Sequence, residues 1–366
     1  SLITLLLSLP WGFSLFALEL EAIFHFFLGG LFTYLLAKRL LRDRRAALIS
    51  SLVFTFGGYL TSYPSQQLAI LETDVWLPLI LLLLDMGLER LREHPSSRGF
   101  LLPITFAGLA FGLALLAGHP QSALYVFYVS AIYFAFRACT NRVRWQPAVL
   151  AFGLFALLGF GLAAAQLLPS LEYMRLSARA QANYNEMSGG FPRQDPIQLL
   201  LPGSVSVMSP LYVGILPLFL AVLAPLLKRN REVIFWTCLA LGALLLSFGG
   251  NTFFYSLFYL FAPGFALFRS QERAAFVFSF SLALLAGYGV QLLTQAMPKP
   301  VKARFYGFYR FVTYLGWGAL GLVFLTFYGF VDTGQVAGSI LSTALERSIL
   351  LVILLTLSLG LLYLRL

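Results

Sequence analysis

The sequence predicts an all-α, polytopic transmembrane helical bundle of about 11 spans, and three observations carry that prediction. Apolar residues make up 59% of the chain and charged residues only 11%, with a mean hydropathy of +0.83, whereas soluble domains carry roughly 25% charge. Eleven apolar stretches follow one another along the chain. The Lys and Arg residues between them fall almost entirely on alternate connections.

The stretches run over 15 to 37, 46 to 62, 75 to 88, 100 to 117, 120 to 136, 147 to 168, 211 to 227, 233 to 249, 274 to 293, 311 to 331 and 348 to 364. Several are shorter than the ~20 residues that cross a bilayer core, so their helices are expected to continue into the headgroups or to start in external loops. Of 25 basic residues, 19 occupy one alternating set of connections. These are Lys38, Arg39, Arg42, Arg44, Arg45; Arg90, Arg92, Arg98; Arg137, Arg142, Arg144; Lys228, Arg229, Arg231; Lys299, Lys302, Arg304, Arg310; and Arg365. The other set holds Arg175, Arg179, Arg193, Arg269, Arg273 and Arg347. The positive-inside rule makes the first set cytoplasmic and the second external. A multi-pass protein of the plasma (inner) membrane, with its long loops extracytoplasmic, is the expectation.

The net charge of +10 would suggest nucleic acid in a soluble protein. Here the excess lies in cytoplasmic loops, where it sets topology and meets anionic headgroups, so nucleic acid is not an expected partner. Cys139 and Cys238 sit near a helix end and inside a span, which points to neither a disulfide nor a thiolate metal site.

Residues 1 to 14 are apolar but interrupted by Pro10 and Gly12, lack the charged n-region and cleavage site of a signal peptide, and open on Ser1, which reads as a trimmed start. Two external segments are long. Residues 169 to 210 are polar, with Glu172, Tyr173, Arg175, Arg179, Asn183, Glu186, Arg193 and Asp195, and a loop of that length is usually functional or disordered. Residues 250 to 273 are too aromatic for a solvated loop and predict a helix in the outer interface or a re-entrant hairpin. No internal repeat, P-loop, GxSxG or HExxH occurs. The stretch 311 to 364 reads as scaffold, giving a core over 1–293 with external loops 169–210 and 250–273, and C-terminal scaffold helices over 294–366.

Polar groups at the outer ends of spans must then carry the chemistry, and they fall in four clusters. Glu19, Glu21 and His25 enter the first span, with Glu21 and His25 four apart on one helix face; they either pair with each other or line a site, as costly intramembrane ionisable groups tend to do. Glu72 and Asp74 lie in a connection with Gln66, Gln67 and no cation, where Asp74 alternatively caps a helix. Gly118-His119-Pro120-Gln121 makes a sharp turn between two apolar helices, and His119 is either a turn residue satisfied by backbone or a functional group. Arg269 and Arg273, four apart, place two cations on a cation-poor face, which favours anion binding over headgroup anchoring.

These residues also carry a resemblance. Phe56-Gly57-Gly58-Tyr59-Leu60, Trp76-Leu77-Pro78-Leu79, Ala117-Gly118-His119-Pro120-Gln121, Gln166-Leu167-Leu168-Pro169 and Phe268-Arg269-Ser270-Gln271-Glu272-Arg273 follow Tyr34-Leu35-Leu36 in an order similar to that of bacterial YfhO-type membrane proteins, which resemble GT-C glycosyltransferases. The Gly-His-Pro-Gln turn and the Arg-containing segment are the most specific parts. The resemblance implies a GT-C-like enzyme that takes a sugar from a polyprenyl-phosphate carrier and passes it to a cell-envelope acceptor outside the membrane. Arg269, Arg273, Gln121, Glu172, Arg175, Glu21 and His25 are then expected to bind substrate. Glu72 or Asp74 is expected as base or as ligand of a divalent cation (Mg or Mn), with His119 as a positioning group. The acidic residue that GT-C enzymes usually carry in a first external loop is expected either upstream of Ser1 or to be lacking from this chain. A lipid or glycolipid transporter or flippase, and a non-catalytic subunit of a membrane complex, are the alternatives. A transporter typically shows discontinuous helices in symmetry-related halves, and the sequence has no such repeat.

Overall fold

A computed structural model describes residues 2–94, 97–177, 182–205, 208–333 and 338–365, and among them every regular element is helical. The N-terminal helices are α1 (Leu2–Trp11), α2 (Leu15–Leu41), α3 (Arg44–Phe56), α4 (Tyr63–Gln66), α5 (Leu68–Asp74), α6 (Leu77–Glu93), α7 (Leu101–Leu116), α8 (Pro120–Thr140) and α9 (Trp145–Leu162). They are followed by α10 (Ala164–Leu176), α11 (Tyr184–Met187), α12 (Ile215–Leu227), α13 (Arg231–Ser247), α14 (Phe254–Phe261), α15 (Ala275–Thr294), α16 (Lys299–Thr333) and α17 (Gly338–Tyr363).

All eleven expected stretches coincide with a helix, but the count of eleven spans does not follow. Among the described residues, seven segments are long and apolar enough to cross a membrane: those of α2, α7, α8, α9, α15, α16 and α17. The other four, α3, α6, α12 and α13, are 13, 17, 13 and 17 residues long. At a rise of 1.5 Å per residue these reach only ~20 to 26 Å, short of a ~30 Å hydrocarbon core. Three of the four pack against α15, whose residues Ala275–Gly289 are all buried. A helix apolar on every side belongs at the centre, and α15 is that axis.

Two other expectations change in detail. Residues 2–11 form a helix despite Pro10, which falls in its last turn. The segment 250–273 contains α14, which buries Tyr255 inward and exposes Leu257, Leu260 and Phe261, an apolar outer face suited to an interface helix. Arg179 lies outside the described residues.

The C-terminal pair α16 and α17 packs on itself and on α12 through Phe219, Leu223, Phe305, Phe308, Val312, Leu351 and Leu355, a cluster separate from the main core.

At the end of the bundle that carries most of the basic residues, an ion network ties four helices together. Asp85 of α6, buried, accepts from Arg39 of α2 and from Arg137 of α8 at 2.5 Å. Arg39 also donates to Glu89 at 2.6 Å, and Arg137 to Glu232 of α13. The residues line a cavity of about 590 Å³. Asp85 and Glu232 give no signal along the sequence because each sits within or beside an apolar run whose average conceals a single charge.

Candidate functional site

The Gly118-His119-Pro120-Gln121 turn and the 268–274 segment meet at the opposite end of the bundle. Gly118 takes φ +93, a conformation costly for any side chain, and so lets α7 reverse directly into α8. His119 caps α8: its Nδ1 accepts from the Ser122 N–H at 3.2 Å, and Pro120 occupies the first helical position. With Nδ1 an acceptor, the ring is the neutral Nε2–H tautomer, leaving Nε2–H as a donor. Burial, with the charge of Arg273 adding to it, pushes the imidazole down to about 4, which agrees with a neutral ring.

Gln121 is buried and joins the two segments. Its Nε2 donates to the Ser270 carbonyl at 3.2 Å and to the Tyr125 hydroxyl at 3.3 Å, and its Oε1 accepts from Arg273 at 2.7 Å. The Tyr125 hydroxyl donates to Gln271 Oε1 at 3.0 Å. Gln271 in turn donates through its side chain to the carbonyls of Phe268 (2.6 Å) and Met187 (3.3 Å), and its N–H to that of Gly189 (2.7 Å). Three distant segments, around 119–125, 187–189 and 268–273, are thus held in one network.

Asp74, the last residue of α5, lies beside this network and is fully buried. Thr73 anchors it by donating to the carbonyls of Ala69 (2.8 Å) and Ala114 (3.2 Å). The hydroxyls of Tyr59 and Ser122 and, at longer range, Arg273 act on the carboxyl. Yet neither Asp74 oxygen, nor either hydroxyl, closes a hydrogen bond. Burial outweighs these neighbours and holds the carboxyl well above the usual carboxylate range. Four polar atoms therefore converge without being satisfied, next to a guanidinium with no carboxylate in ion-pair contact. Buried polar groups in this state are rare and mark either a ligand or water site.

The remaining expected site residues divide. Arg269 is exposed and Arg273 turns inward, because Ser270 takes φ 66 and residues 271–274 form a tight 3₁₀ turn, so the expected helical i, i+4 pair does not form. Glu72 is buried in α5. Glu21 and His25 are buried on one face of α2, with His25 Nδ1 bonded to the Glu21 carbonyl at 2.8 Å and Nε2 unpartnered. Gly29 of the same stripe meets Val75, so Glu21 lies about two turns (~12 Å) along α2 from the level of Asp74 rather than beside it. Glu172 and Arg175 are exposed on α10, a helix that buries none of its residues. Tyr59 and Tyr125 were missed by the sequence reading; aromatic residues in apolar helices carry no distinguishing signal. Among the described residues, no three His, Cys, Asp or Glu side chains gather at metal-ligand spacing.

No curated protein matches the chain. A solved structure similar in outline is that of ArnT from Cupriavidus metallidurans bound to undecaprenyl phosphate, at 14% identity and a TM-score of 0.46. The similarity covers 98% of this chain but 65% of ArnT, so the chain spans just under two thirds of that protein's length. The family model of the bacterial membrane protein YfhO matches residues 3–366, nearly the whole length, and the chain, a multi-pass membrane protein, belongs to the YfhO family.

Proposed function

We propose that this protein is a GT-C-like membrane glycosyltransferase that moves a sugar from a polyprenyl-phosphate carrier to a cell-envelope acceptor on the outer side of the plasma membrane. The observation that carries the reading is the unsatisfied Asp74 carboxyl beside Arg273. A guanidinium that gives one hydrogen bond to Gln121 keeps donors for a phosphate. A carboxyl group raised by burial takes up a proton more readily than an ordinary carboxylate, as a general base must. In the proposed reaction the acceptor oxygen forms a bond to the anomeric carbon, its proton passes to Asp74, and the bond to phosphate breaks, leaving polyprenyl phosphate on Arg273. Neutral His119 donates from Nε2 to orient sugar or phosphate. Glu72 is the alternative base. Dependence on a divalent cation, Mg or Mn, is to be read from activity in chelator and back-titration.

The test is turnover and donor binding measured side by side for the chain in nanodiscs. Asp74→Asn should abolish sugar transfer from a polyprenyl-phosphate donor while binding is kept. Wild-type turnover in both Asp74→Asn and Glu72→Gln would remove these residues from the chemistry. A lipid transporter is the second reading, favoured by the polar cavity at the basic end; it requires movement of a labelled lipid across the bilayer without sugar transfer.

A further inference from the structure

Arg347 is the one cation in the stretch 311 to 364, which otherwise reads as scaffold. It is the tenth residue of α17, within a segment apolar enough to span a membrane. An arginine in such a position is costly unless it reaches headgroups, a polar cavity or a partner. In this structure it reaches a cavity. Its guanidinium lies against Gly203, where an added Cβ would sit 3.0 Å from one terminal nitrogen, 3.1 Å from Cζ and 3.3 Å from Nε. Gly203 has φ +74, a backbone conformation that favours glycine, and an added Cβ would sit tight against the guanidinium. Among the described residues Arg347 makes no ion pair, and its Nε is buried with no hydrogen-bond partner.

The cavity holds about 360 Å³ between the 58–66 turn, residues 202–203 and 208–212, and α17. Its other polar lining residues are Thr61, Ser62, Ser65, Gln66, Ser209 and Tyr212. The hydroxyls of Thr61, Ser62 and Ser65 spend their protons on the carbonyls of Gly57, Tyr59 and Ser62, and Ser209 Oγ accepts from the Gly203 N–H. The site therefore presents a cation with an open donor beside four hydroxyl oxygens free to accept hydrogen bonds. An anion bearing hydroxyl groups matches both halves. The cavity shares no lining residue with the site described above.

We infer that Arg347 and the cavity over Gly203 bind a phosphate group, supplied either by the headgroup of an anionic, hydroxyl-bearing membrane lipid or by a free phosphate. Held there, the ligand would bridge the C-terminal helix pair and the core. The inference is independent of the sugar-transfer reading.

The experiment uses the whole chain in nanodiscs of phosphatidylcholine with and without phosphatidylglycerol, and separately with inorganic phosphate. Retained lipid is read by native mass spectrometry and binding by the shift in melting temperature. Phosphatidylglycerol should raise the melting temperature and remain bound. Arg347→Ala should weaken its binding about tenfold or more, the scale of a lost charge-assisted contact. If Arg347→Ala lowers the yield of folded protein, Arg347→Lys, which keeps the charge but not the fork, carries the test with a smaller loss. Stabilisation by inorganic phosphate in pure phosphatidylcholine, lost in the same variants, would assign the site to a free phosphate. Equal response of wild type and both Arg347 variants to both ligands, or no response to either, would overturn the inference.

Discussion

The two ends of the bundle treat buried charge in opposite ways. At the basic end, Asp85 is clasped by Arg39 and Arg137, which pair in turn with Glu89 and Glu232. At the other end, Asp74 is as deeply buried and has no hydrogen bond, while Arg273 leans on a neutral amide. A satisfied network costs much to break and leaves little for a ligand to gain; an unsatisfied one is the reverse. The basic-end network therefore reads as a clasp holding α2, α6, α8 and α13, and the Asp74–Arg273 site as the place where chemistry is held open.

The largest effect should come from breaking the clasp. Asp85→Ala leaves two guanidinium groups short of a partner in a buried setting and should lower stability by about 3 kcal/mol, the lower end for a broken buried pair, because Glu89 and Glu232 remain. Asp74→Asn should leave the melting temperature level or raise it, since Asn keeps the shape and removes a buried ionisable group. If the two variants destabilise alike, the contrast between the ends fails.

Next in size is binding at Arg273. Arg273→Ala should weaken a polyprenyl-phosphate analogue by roughly 1.5–3 kcal/mol, with Lys recovering only part of it. Arg269→Ala, at an exposed position, should lose less. Equal losses at the two positions, measured by titration in nanodiscs, would show that the inward turn of Arg273 does not matter.

The pH response is comparable and its sign is specific. His119 is held at about 4 against 6.5 for a free imidazole, so the folded state resists its protonation. Its contribution to stability is present above pH ~6.5 and is lost as the pH falls toward 4, about 2 kcal/mol by pH 5. Asp74 runs the other way, since a raised carboxyl gains stability as the pH falls. The slope attributable to His119 is therefore the difference between wild type and His119→Asn, followed by denaturation from pH 7 to 5. An unchanged slope would place the ring in water.

The last prediction carries no energy but fixes which end is which. Cysteines introduced at Asn185 and Lys302 should react with an impermeant reagent from opposite sides, Asn185 from outside. Labelling of both from one side would reverse the assignment of the site to the outer face or remove it.

Much of this was legible along the chain because apolar helices are local. Each of the eleven apolar stretches became a helix, and the helix-capping turn at His119 follows from Gly118 and Pro120 alone. The two motifs around Gln121 and Arg273 were each visible as unusual polar residues between apolar runs. What could not be read was their meeting, 152 residues apart, through one amide. Nor could the chain show that Ser270 breaks the register and sends Arg269 and Arg273 in different directions. Asp85 and Glu232 were hidden for the opposite reason, since an averaged apolar run conceals a single charge.

Sequence by itself determined the solvent, the helices and the alternation of charge, because hydropathy and the absence of water in a bilayer leave the backbone no other economical choice. Tertiary structure alone decided which helices were short enough to be enclosed around α15, which carboxylates found an arginine, and which were left without one. Those outcomes depend on side chains from distant segments arriving within about 3 Å of each other, a distance set by packing and not by any local pattern.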